Sequence, residues 1–118
     1  MKYSESLKKN SDFQTVYEYR NSFADKNLVL YMKENGSDIN RVGISVSKKV
    51  GNSVVRHRIT RLIRESYRLN EENFKIGYDL IVVARFASRQ KNQRDIESSL
   101  LYLAGLHKIL NYYEKDLD

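Results

Sequence analysis

Residues 41–65 read RVGISVSKKVGNSVVRHRITRLIRE, and the change of period inside that stretch decides the fold. From Arg41 to Ser47, Val42, Ile44 and Val46 alternate with Gly43, Ser45 and Ser47. A period of two is that of a strand with one buried face. After Gly51 the period lengthens to that of a helix, predicted over about 52–69. On a wheel of about 100° per residue, Val55, Ile59, Leu62, Ile63, Ser66 and Leu69 share one arc. Arg56, His57, Thr60, Arg61, Arg64 and Arg68 occupy the opposite arc, with Arg58 and Glu65 on its flanks. Such a helix buries one side and presents guanidinium groups on the other.

Working outward, Phe13, Val16 and Tyr17 predict a first helix over about 11–19, with Ser11 or Asp12 as cap. The run Leu28–Met32 reads as a strand, and a weaker strand is expected near 22–25. Downstream, Tyr78–Ala84 is a short, β-branched, mostly apolar run that suits a buried strand. The last helix is expected over about 92–110, with Ile96, Leu100, Leu103, His107 and Leu110 as its stripe. The order is α-β-β-β-α-β-α, an α/β (α+β) two-layer sandwich: one central sheet of about four strands with three helices. The 118 residues contain no repeat, no low-complexity tract and no proline, which fits a single domain over 1–118. Its ends, about 1–8 and 112–118, are expected to fray.

The charge is placed as unevenly as the period. Lys48, Lys49, Arg56, Arg58, Arg61, Arg64 and Arg68, opposed only by Glu65, give +6 over residues 48–68. The remaining 14 basic and 14 acidic residues cancel, so this segment holds the whole net charge of the chain. Like charges on one helix face repel, so a face that tolerates them implies a polyanionic partner. Arginine forks bond phosphate bidentately and stay charged at every relevant pH. Ahead of them, Gly51 permits a backbone conformation closed to other residues, and Asn52 or Ser53 can cap the helix. Capping leaves backbone N–H groups free for an anion beside Lys48 and Lys49.

Other classes drop out. The chain has no cysteine, so disulfides and thiolate zinc sites are excluded. His57 and His107 lie far apart in sequence, and no metal site is expected. No catalytic constellation stands out: no serine–histidine–acid set, no paired carboxylates, and no glycine loop followed by Lys-Ser/Thr. No apolar stretch is long enough for a membrane helix and no secretory signal is present, so a cytoplasmic protein is expected.

The quoted stretch resembles the signature of the bacterial ribonuclease P protein component. The resemblance extends upstream through Leu7-Lys8-Lys9-Asn10, Asp12-Phe13 and Val29-Leu30-Tyr31, and downstream through Gly77-Tyr78-Asp79 and Val82-Val83-Ala84-Arg85. It departs at His57, where the family usually has asparagine, and at Thr60, where lysine is common. The resemblance implies a left-handed βαβ crossover, against the general right-handed preference. It also implies an accessory subunit of an endoribonuclease that removes the 5′ leader of precursor tRNA. The RNA subunit would carry the catalytic centre, with Mg²⁺ held mainly by that RNA and the substrate. Lys48, Lys49, Asn52, Arg56, His57, Arg58, Arg61, Arg64 and Arg68 would contact the RNA subunit. Phe13, Tyr17, Tyr31, Lys33, Ser45 and Ser47 would line a cleft for the single-stranded leader, where aromatic faces stack on bases. The expected partners are ribonuclease P RNA and precursor tRNA, with no membrane and no small-molecule substrate, and the protein a monomer within the ribonucleoprotein.

Two rivals fit parts of this pattern. A non-enzymatic ribosomal-type RNA-binding protein would explain the basic helix but not the extended signature or the aromatic cleft. A DNA-binding helix would need side chains poised for base edges, whereas a row of arginines favours backbone contact.

Overall fold

The structure is a computed structural model that describes residues 3–111. Its strands are β1 (Ser4–Ser6), β2 (Ser22–Ala24), β3 (Leu28–Glu34), β4 (Asn40–Ser45) and β5 (Tyr78–Ala84). Its helices are α1 (Asn10–Tyr19), α2 (Ser53–Asn70) and α3 (Gln93–Leu106), with 3₁₀ turns at Glu71–Asn73 and Phe86–Gln90. The strands form one sheet in the order β1-β4-β5-β3-β2. β4 runs parallel to β1 and β5, and β3 runs antiparallel to β5 and β2. The most apolar strand, β5, lies at the centre of the sheet. The β4–α2–β5 connection is the βαβ unit expected from the quoted stretch.

Period-two alternation divides the side chains between two faces. Leu28 and Leu30 of β3, Val42 of β4, and Leu80, Val82 and Ala84 of β5 join Ile59, Ile63 and Tyr67 of α2 and Ile96, Leu100 and Leu103 of α3 in the main core. Their neighbours in sequence, Tyr31, Ile81 and Val83, turn to the other face and meet Leu7 and the α1 residues Phe13, Val16 and Tyr17. One face is covered by two helices, the other by a single ten-residue helix.

Several expectations need correction. The sheet has five strands, not about four, because Ser4–Ser6 pairs with Asn40–Val42 where a frayed end was expected. Leu7 anchors that strand in the small cluster, and its N–H bonds the Val42 carbonyl. α1 starts at Asn10, inside which Ser11 and Asp12 lie, so neither caps it. β4 stops at Ser45, which leaves Val46 and Ser47 in the following loop. α3 ends at Leu106, not near residue 110; His107 terminates it and Lys108 takes a left-handed conformation. Leu69, expected in the buried arc, is 54% exposed, while Tyr67 is buried. The arc is turned toward β1 and β4, where the Tyr67 hydroxyl meets Ser4 Oγ at 2.7 Å and accepts from Asn40 Nδ2. The expectation for 112–118 falls outside the described residues.

Candidate nucleic-acid interface

The basic surface begins in the loop that joins β4 to α2. Val50 is buried in the main core, and its N–H bonds the Ser47 carbonyl, which closes a turn with Lys48 and Lys49 exposed at its tip. Gly51 is needed here for room and not for an unusual conformation. Its backbone is not left-handed, but a Cβ would lie 2.8 Å from a Val55 methyl group. Asn52 caps α2: its Oδ1 accepts the Val55 N–H at 3.0 Å. That leaves the first N–H groups of the helix directed at solvent beside the two lysines.

Along α2 the expected cations separate into free and committed groups. His57, Arg61 and Arg64 are exposed, and among the described residues none of them makes an ion pair or hydrogen bond. Arg68 is also exposed but forks onto the Glu65 carboxylate, with Nε to Oε2 at 3.0 Å. That pairing holds the Glu65 carboxyl below the usual carboxylate range. Arg58 bends away from the row and donates to the carbonyls of Lys91 at 2.6 Å and Arg89 at 3.3 Å. Arg56 is half-buried, and Thr60 turns its hydroxyl back to the Arg56 carbonyl. A groove of about 170 Å³ beside Thr60 and Arg64 reaches Lys8, which adds a cation from the chain ahead of α1. The densest unpaired positive charge therefore lies at Lys48, Lys49, Arg61 and Arg64.

The second surface lies on the α1 face of the sheet. Tyr17 meets Tyr31 edge-on with centroids 4.9 Å apart, and Phe13 follows at 6.2 Å from Tyr17. All three rings are half-buried. Gly43 makes their arrangement possible, since a Cβ there would sit 2.5 Å from the Phe13 ring tip. Burial raises the Tyr17 pKa, opposed by the Ser45 side-chain hydrogen bond, so the phenol stays neutral. Ser45 thus joins the aromatic cluster. Ser47 stands apart in the lysine loop. Lys33 lies with Nζ 5.4 Å from the Tyr19 ring centroid, at the far edge of α1.

An ion-pair network reaches from the sheet to α1. Arg41 grips the buried Asp79 through Nε at 2.8 Å and Nη2 at 2.6 Å, and reaches Asp12 of α1 at 3.5 Å. Donating to the Asp79 carboxylate raises the Arg41 pKa. Asn35 Nδ2 gives Asp79 a further bond at 3.1 Å. Arg41 heads the quoted stretch, yet its charge is spent inside the fold. Sequence reasoning did not foresee this role, nor the basic turn at 85–94. The local charge of that turn is hidden when the chain is summed as a whole.

With this geometry in hand, comparisons with known proteins give one answer. The Ribonuclease P family model matches residues 1–108. The ribonuclease P protein component of Lachnoclostridium phytofermentans is 58% identical over 113 residues, covering 96% of this chain and 97% of that protein. That of Alkaliphilus oremlandii is 50% identical, covering 94% and 97%. Among solved structures, the Staphylococcus aureus RNase P protein superposes with a TM-score of 0.82 at 37% identity, covering 90% of this chain and 97% of that one. The Thermotoga maritima RNase P protein gives 0.77 at 26% identity, covering 83% and 93%.

Proposed function

The chain belongs to the ribonuclease P protein family, and on that premise we propose that its two surfaces divide the RNA contacts of the enzyme between them. It is the protein subunit of ribonuclease P, which removes the 5′ leader of precursor tRNA. In this reading the loop and outer face of α2 bind the catalytic RNA, through Lys48, Lys49, the first-turn N–H groups that Asn52 does not occupy, His57, Arg61 and Arg64. Arg56, Arg58 and Arg68 support that face, since their side chains are half-buried or already bonded within the protein. The aromatic cleft of Phe13, Tyr17 and Tyr31, with Ser45 at its floor, takes the single-stranded leader. Stacking without hydrogen-bond readout suits a leader of varied sequence.

The observation that carries this reading is the separation of the two chemistries. Unpaired cations cluster on the α2 side of the sheet, and half-open aromatic rings on the α1 side. The chemical step belongs to the RNA, with Mg²⁺ held mainly by RNA and substrate. Among the described residues no three acidic or histidine side chains gather to hold a metal ion. The protein lowers the electrostatic cost of bringing two RNAs together, which lessens the demand for magnesium. A cytoplasmic location follows from these partners; among the described residues no helix is long and apolar enough to cross a membrane.

Reconstitution with a bacterial ribonuclease P RNA tests the function. At low magnesium, precursor cleavage is expected with the chain present and not with RNA alone. Equal cleavage in both would overturn the proposal.

A further inference from the structure

Residues 85–94 read RFASRQKNQR, with Arg85, Arg89, Lys91 and Arg94 and no acidic residue. They leave β5, form the 3₁₀ turn Phe86–Gln90, and enter α3. Phe86 stands between Arg85 and Arg89 and is 57% exposed. The Arg89 guanidinium carbon lies 4.2 Å from the ring centroid, a cation–π stack on one side of the ring. The pair offers flat outer surfaces flanked by three further cations. An exposed aromatic ring beside several cations, with Asp95 the first acidic residue after them, has the composition of a single-strand nucleic-acid platform.

The turn is also held in place. Ser88 is buried and donates its hydroxyl to the Arg85 carbonyl at 2.6 Å. Arg58 of α2 bonds the carbonyls of Arg89 and Lys91, so the turn is fixed to the basic helix. This accounts for Arg58 leaving the row. Its charge holds a neighbouring patch against α2 while remaining part of the same positive field. Preorganisation of this kind lowers the entropy lost when a partner binds.

We infer that Phe86 and Arg89 form a stacking platform for one unpaired base of the ribonuclease P RNA, with Lys91 and Arg94 toward the flanking phosphates and Arg85 held by the Asp25 carbonyl at 2.9 Å. This rests on the reading that α2 faces that RNA. The RNA subunit is the occupant, and not the leader, because the turn is bonded to α2 and leads into α3. Both helices lie on the sheet face opposite α1 and the aromatic cleft.

The test measures binding of a fluorescein-labelled bacterial ribonuclease P RNA, transcribed in vitro, to Phe86→Ala, Phe86→Trp and Arg89→Ala across a salt series. Thermal melting checks that each variant folds. Loss of one stacked base predicts a fall of about tenfold in affinity for Phe86→Ala. Its salt slope should not change, and Phe86→Trp should bind like the unaltered protein. Arg89→Ala, which removes a stacking cation but none of the phosphate-facing ones, should weaken binding and lower the salt slope by less than one. If Phe86→Ala binds within twofold of the unaltered protein while Arg61→Ala with Arg64→Ala still binds weakly, the platform is overturned and the α2 reading stands. If neither set weakens binding, the α2 reading falls as well. If Phe86→Ala weakens only precursor tRNA on the assembled holoenzyme, the platform serves the leader and its assignment to the RNA subunit is overturned.

Discussion

The two faces of the sheet are built from alternate residues of the same strands and differ in how far they close, although Ile81 on the α1 face is itself fully buried. On β3, Leu28 and Leu30 are fully buried beneath α2 and α3, while Tyr31 between Leu30 and Met32 remains half-exposed beside α1. On β5, Val82 is buried and Val83 is not. Strand propensity is the same on both sides, so coverage makes the difference. Two helices of 18 and 14 residues cover one face, and one helix of 10 residues covers the other. The closed face stabilises the fold. The open face keeps aromatic rings at the surface, where a flat ligand can reach them.

The comparison breaks first in stability. Ile63→Ala empties a fully buried site in the main core and should cost about 2–5 kcal/mol in denaturant unfolding. Tyr31→Ala, on the open face, should cost clearly less. Equal losses would mean that the α1 face is a second closed core and not a cleft. A smaller effect should appear in function. Tyr17→Ala with Tyr31→Ala should weaken binding of precursor tRNA to the reconstituted enzyme by about 1–3 kcal/mol for each unstacked base. Mature tRNA should bind as before. Equal weakening of both would remove the leader from the cleft.

The smallest effect concerns pH. His107 packs edge-on against Phe23, and its Nε2 donates to the Leu30 carbonyl at 2.7 Å. Nδ1 is buried and has no hydrogen-bond partner among the described residues, so this nitrogen is the unprotonated one. Burial lowers the His107 pKa, with the bond to Leu30 opposing it. A depressed folded-state pKa means that stability is present above the ordinary histidine value, about 6.5, and is lost as pH falls below it. Unfolding titrations at pH 7.5 and 5.5 should show this loss, and His107→Gln should remove that part of it. An unchanged pH dependence in the variant would assign the loss to other groups.

Much of this architecture was legible in residues 41–65, because the strand and helix there have clear periods and the charge has no counterweight. What escaped has physical causes. β1 is polar, Ser-Glu-Ser, and its place is set by backbone pairing to β4 and by the single anchor Leu7. Tyr67 replaced Leu69 in the core because tertiary hydrogen bonds to Ser4 and Asn40 decide burial at the edge of a helical stripe. The aromatic cluster, the lysine loop and the cations of α2 were visible, whereas Lys8 and the basic turn at 85–94 were not. The commitments of individual arginines were hidden too: Arg41 is bound to Asp79, Arg58 to the turn after β5, and Arg68 to Glu65. Spacing places a charge on a helix face, but only the fold shows which charges are free.

That distinction leads to the most direct test. The salt dependence of binding to ribonuclease P RNA should be measured for Arg61→Ala with Arg64→Ala. These are the exposed, unpaired arginines of α2, and their loss should weaken binding and lower the slope of log K against log salt by about two. Arg68→Ala, which removes an arginine already neutralised by Glu65, should lower it by less than one. An unchanged slope in the double variant would contradict the central claim that the outer face of α2 binds the RNA.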